Sequence, residues 1–172
     1  MGQRSKMGMF AAAAMIVAGL VMPAAASEGG EDLAEVRRTT ARFHRVEAAV
    51  EAGYRLGYNG LVTGCIAHPT NGAMGYHYFN SQLFDDPAID PLLPEGLVYA
   101  PGPDGQLQLA AVEWVVPKTR WEAAGNTAPP SVMGMDMHVL NPVLGWYIHH
   151  AWVWNHNPAG MFQDWNPTVS CS

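Results

Sequence analysis

Trp146-Tyr147-Ile148-His149-His150-Ala151-Trp152-Val153-Trp154 is the stretch on which the reading of this chain turns. As a β-strand, its side chains alternate between two faces. Trp146, Ile148, His150, Trp152 and Trp154 share one face, and Tyr147, His149, Ala151 and Val153 share the other. An imidazole on an apolar, tryptophan-rich face has left water and needs a hydrogen bond or a metal ion. His150 is therefore the first pointer to a site.

Working outward, the residues after Cys65 are punctuated by proline and glycine, among them Pro69, Gly72, Pro87, Pro101, Pro117 and Pro130. That spacing excludes long helices and favours antiparallel strands joined by loops. Strands are expected at 73–80, 96–100, 107–116, 132–140 and 147–154. Pro103-Asp104-Gly105 is a turn that should join the second and third as a hairpin. Residues 155–172 contain Asn-Pro twice and read as an ordered loop. Upstream, Leu33, Val36, Phe43, Val46, Val50 and Tyr54 recur at helical spacing over 31–54, with arginines and glutamates between them. Gly53 and Gly57 mark the end of that helix. His44 falls on its polar side and reads as exposed. The expected class is α+β: an N-terminal amphipathic helix packed on an antiparallel, twisted β-sheet or partly closed barrel.

The N-terminal segment reads as a leader. Arg4 and Lys6 precede an apolar run from Met9 to Val21 that is too short for a stable membrane span, and Ala24-Ala25-Ala26 supplies small residues for cleavage. Residues 1–26 are assigned to a signal peptide and 27–172 to one globular domain, in the periplasm or secreted. The whole chain carries a net charge of −6, which loss of Arg4 and Lys6 takes to −8. Such a surface repels phosphate backbones and anionic bilayers, so neither nucleic acid nor membrane insertion is expected. Cys65 and Cys171 are the only cysteines. A lone pair in an oxidising compartment implies one disulfide.

The chemistry is sparse. No G-x-S-x-G, H-E-x-x-H, C-x-x-C or glycine-rich phosphate loop occurs. Glu113 stands in a strand whose two faces are both apolar, so it is buried in either orientation and must be protonated, paired or metal-bound. His77, His138 and His150 each fall in a different expected strand. Four strands can bring one nitrogen or oxygen donor each to a divalent transition metal such as zinc, iron or copper. The expected ligands are thus His77, Glu113, His138 and His150. A hydrogen-bonded core cluster is the competing reading. The methionines Met133, Met135 and Met137 beside His138 suit Cu(I), although alternating methionines also make flexible core faces.

Two longer motifs stand out, Gly72-Ala73-Met74-Gly75-Tyr76-His77-Tyr78-Phe79-Asn80 and the run from His150 to Pro167. With Cys65 and Cys171 they resemble an uncharacterised family of exported bacterial proteins, from Ala52-Gly53-Tyr54 to the C-terminus. The resemblance implies an exported domain in which His77, Glu113, His138 and His150 fall at motif positions, and it implies no activity. A more distant analogy, three histidines and a glutamate in a small barrel, is to cupins, whose close histidine pair this chain lacks. Three functions follow as expectations: an exported binding protein with a His/Glu metal site, a metal-dependent enzyme using that site, or a metal-free module. The module would hold a small apolar or sugar-like ligand against Trp146, Trp152, Trp154 and Trp165.

Overall fold

The computed structural model describes residues 1–2 and 28–171. The expected leader lies outside the described residues apart from its first two. The expected helix is present but interrupted. Helix α1 (Glu28–Thr40) ends in one 3-10 turn (Ala41–Phe43), and α2 (Val46–Glu51) follows. Between them Arg45 is extended. Arg45 bridges Gln108, and the His44 carbonyl accepts from Leu109 N at 3.4 Å. The break exists because strand pairing there satisfies backbone groups that a continuous helix would leave bare. It also turns Phe43 inward.

The strands are β1 (Tyr54–Leu56), β2 (Cys65–His68), β3 (Gly72–Asn80), β4 (Gly96–Pro101), β5 (Leu107–Pro117), β6 (Ser131–Val132), β7 (Met135–Asp136) and β8 (Trp146–Ala151). Short helices α3 (Ser81–Phe84) and α4 (Lys118–Ala123) follow β3 and β5. Six strands form one antiparallel, open sheet in the order β1-β3-β4-β5-β8, with β2 also paired to β3. The β4–β5 hairpin forms around the Pro103-Asp104-Gly105 turn as expected. Fold class and sheet thus agree with the sequence reading; the sheet does not close into a barrel.

The expected strand 132–140 is not one strand. Met133 and Gly134 both have positive φ, 50° and 74°, and close a two-residue turn between β6 and β7. Only His138 then rejoins the main sheet, exchanging backbone hydrogen bonds with Ile148 at 3.1 and 2.8 Å. Strict alternation also fails in β5. Val98 pairs with Ala111 but Tyr99 pairs with Leu109, so Ala110 is the extra residue of a bulge. Leu109 therefore joins the Val112, Trp114 and Val116 side, while Ala110 and Ala111 both face Val98 and Trp152.

One face of the sheet carries the helices. Val36, Phe43 and Ala49 bury against Leu97, Tyr99, Val112, Trp114 and Tyr147. Tyr99 Oη donates to Phe43 O at 2.7 Å and Arg37 Nε to Val153 O at 2.6 Å, fixing the helices in place. The other face is covered by the C-terminal strap, residues 152–171, through Trp152, Val169 and Cys171, while its Val153, Trp154 and Phe162 turn to the helix side. Asn166 exchanges backbone hydrogen bonds with Ala73, both at 3.1 Å. The expected Cys65–Cys171 disulfide is present and closes a separation of 106 residues. Such a loop is worth about 4–5 kcal/mol on the chain-entropy account.

Glu95, which the sequence reading passed over, is buried at the start of β4. Its Oε2 accepts from Val115 N at 2.9 Å, supplying the acceptor that β4 is too short to provide. Burial, chiefly, pushes its carboxyl up to about 8, against the backbone donors of Val115 and Glu95 itself. The folded state thus keeps a proton that the unfolded chain releases near the ordinary carboxylate value of about 4.3. Between those two values the folded state binds more protons, so stability falls as pH rises. Glu95→Gln keeps an oxygen acceptor and removes the titration. We expect it to flatten the pH 5–8 stability profile by about 2–4 kcal/mol in urea melts. A variant profile parallel to the parent's would refute this.

Candidate metal centre

The centre lies on the strap-covered face, where register does most of the positioning. Phe79, Gly96, Glu113 and His150 are successive partners across β3, β4, β5 and β8. His77 stands one row over, opposite Val98. Glu113 and His77 come from strands separated by β4, and they meet because Gly96 has no side chain. A Cβ there would lie 3.1 Å from both Glu113 Cβ and Oε2 and 3.1 Å from Phe79 Cε1.

His77, Glu113 and His150 are each 2% exposed or less. His77 Nε2 is 3.4 Å from His150 Nε2, and His150 Nε2 is 3.3 Å from Glu113 Oε1. His77 Nε2 is 3.9 Å from Glu113 Oε2. Donors at 2.0–2.1 Å from a tetrahedral ion stand about 3.3–3.4 Å apart, so this triangle is close to ion-binding size. Charge-assisted hydrogen bonds, at about 2.7–2.9 Å, are shorter than any of these contacts. Hydrogen bonding also leaves the group incomplete. Among the described residues, buried His77 Nδ1 and Glu113 Oε2 have no partner. The Gly75 backbone acts on the His77 ring against burial, in the direction that raises its pKa.

Behind the triad is a carboxylate. Asp164 Oδ1 lies 3.2 Å from His150 Nδ1, and its Oδ2 lies 3.2 Å from His138 Nε2. A proton on His150 Nδ1 fixes the tautomer whose Nε2 lone pair faces His77 and Glu113, the arrangement common behind metal-bound histidines. Asp164 belongs to the motif quoted above, but no periodicity picks out a loop aspartate. His138 does not join the triad. The β6–β7 turn leaves its side chain 44% exposed, and it reaches the centre only through Asp164.

Burial, with His150 adding, takes His77 down to about 3, so its ring is neutral as a ligand must be. Burial raises Glu113 to about 7; His150 opposes this and Asp164 reinforces it. For His150 burial acts downward, but Glu113 and Asp164 outweigh it and the net shift is upward. Asp164 is lowered, because its bonds to His150 and His138 overcome burial. On the opposite face His149 is buried as well. It stacks near Trp114 and Phe162, with Nε2 unpartnered among the described residues, and burial takes it to about 4.

A cavity of about 270 Å³ opens onto His77 and Glu113, with Trp146 and Trp165 among its walls. Trp152 and Trp154 are not among them. β8 ends at Ala151, so alternation stops there. Trp152 Nε1 donates to Gln163 O at 2.6 Å, and Trp154 Nε1 lies 3.1 Å from Thr40 Oγ1.

No protein-family model, curated protein or solved structure matches this chain. The chemistry of the triad must therefore carry the functional reading. Two imidazoles and a carboxylate suit zinc or non-haem iron, and three protein donors leave a coordination position free. Met133 and Met137 pack into the helix-side core, away from the triad.

Proposed function

We propose that the chain is an exported protein that binds one divalent transition metal ion through His77, Glu113 and His150. The observation that carries this is the buried triangle of three donors, 3.3–3.9 Å apart, with the Asp164 carboxylate behind His150. Zinc or iron(II) fits the two imidazoles and one carboxylate better than Cu(I), and Met133 and Met137, expected to favour copper, lie in the helix-side core. Export rests on the leader-like N-terminus, the resemblance to exported bacterial proteins and a disulfide suited to an oxidising compartment. No helix among the described residues is long and apolar enough to cross a membrane.

Chelator-treated protein titrated with zinc or cobalt(II) should bind one equivalent. An ion bound only by the folded state stabilises it by about 2.7 kcal/mol at a hundred times its Kd, so the melting temperature should rise. His77→Ala should abolish that rise, and His44→Ala, at the exposed break between the helices, should not change it. A melting curve unmoved by zinc, copper, manganese and iron(II) at neutral pH would leave the triad as a hydrogen-bonded core cluster.

A further inference from the structure

The cavity beside the triad is lopsided in its chemistry. Its walls are mainly apolar, from Val62, Met74, Phe79, Leu140, Trp146 and Ile148, and no lysine or arginine among the described residues lines it. Polar groups stand at one end, His77 and Glu113, with Asn141 on an exposed loop at the rim. Glu113 Oε2 is buried and has no hydrogen-bond partner among the described residues. The cavity's volume of about 270 Å³ falls just below the range of about 300–1,000 Å³ for drug-sized sites.

We propose that this cavity binds a compact aromatic alcohol of the phenol class, its ring among the apolar walls and its single oxygen at the triad. The inference rests on the metal-site reading, because that oxygen takes the ion's remaining position beside Glu113. The wall chemistry excludes the sugar-like ligand entertained from sequence. A sugar brings several hydroxyls to a pocket with one polar end, and each buried hydroxyl left unpaired costs about 1–3 kcal/mol. Among the described residues no lysine or arginine lines the cavity, so the ion is the one cation that the ligand's oxygen would meet there. The rings of Phe79, Trp146 and Trp165 favour an aromatic body over an aliphatic chain, through edge and offset contacts.

The test uses mature protein loaded with cobalt(II), whose visible bands report the ligands of the ion. 4-Methylphenol is the probe, and toluene is its close mimic without the hydroxyl. 4-Methylphenol should shift the cobalt bands and quench tryptophan emission together, saturating at one equivalent. Toluene should bind at least tenfold more weakly and leave the bands unchanged. Leu144→Trp, which fills the cavity from its loop side, should abolish the response to the phenol and keep the cobalt spectrum. If cobalt binds but the phenol changes neither signal, or toluene binds as well, this inference is wrong and the metal site stands. If cobalt does not bind through the triad, both fall.

Discussion

Replacing His150 with alanine is expected to cost the metal-free protein about 3–5 kcal/mol, the range for removing one partner from a buried charge network. His150 is fully buried and is the hub of the centre, touching His77, Glu113 and Asp164 with its two nitrogens. Its loss leaves Glu113 desolvated, with the neutral His77 beside it, and deprives Asp164 of its buried partner. A void the size of an imidazole adds to the cost. His138→Ala is the informative contrast. That ring is 44% exposed and touches only the outer oxygen of Asp164, so its removal should cost less than about 1 kcal/mol. Urea denaturation of both variants after chelation gives the comparison. Zinc should then raise the stability of the parent and of His138→Ala, and leave His150→Ala where it was. A His150→Ala protein within about 1 kcal/mol of the parent would mean that the buried network is not what holds this face together.

The residues readable in advance share one property: each lies in a strand long enough for alternation to show. β3, β4, β5 and β8 were legible for that reason, and with them His77, Glu113 and His150. Glu113 was the plainest, since a carboxylate among Ala111, Val112, Trp114 and Val115 has no solvent face to take. The disulfide was legible because two cysteines allow one pairing. Local geometry defeated the rest. β1 and β2 are three and four residues long and show no period. The expected helix is broken at Arg45 by pairing with Gln108, a contact more than sixty positions away. The methionine-rich stretch alternates perfectly, yet Met133-Gly134 folds it into a turn and takes His138 off the expected face. Trp152 keeps the His150 side but packs with Val98, Ala110 and Ala111 away from the cavity, and Trp154, past the end of β8, joins the helix-side core. Asp164 and Glu95 act from a loop and a strand start, where only tertiary pairing decides what a carboxylate meets.

The second large effect is expected far from the triad's own atoms, at Gly72. Gly72 has φ +86°, a conformation that costs an L-residue about 1–2 kcal/mol. It also has no room. An added Cβ would sit 2.1 Å from Asn166 O and 2.5 Å from Pro167 Cα, both backbone atoms that cannot swing aside. Asn166 is fully buried. Its side chain orders the strap by donating to His156 O and accepting from Thr168 N and Oγ1. Gly72→Ala must therefore lift the strap from β3, for a loss on the order of 3 kcal/mol or more. Gly105→Ala separates strain from collision, because Gly105 has φ +78° with nothing within 4 Å of the added carbon. That control should lose only about 1–2 kcal/mol. The Ala73 amide, which donates to Asn166 O, should exchange its hydrogen much faster in Gly72→Ala than in the control. The Cys65–Cys171 disulfide still tethers the strap's far end, so the change is an undocking and not a release. Asp164 travels with the strap, and a metal-bound His150 deprived of its carboxylate should bind zinc about 10–100-fold more weakly. Equal stability and equal zinc affinity in the two variants would show that the strap is not seated by its contact with Gly72. A loss of stability with zinc affinity retained would show instead that Asp164 does not support the ion.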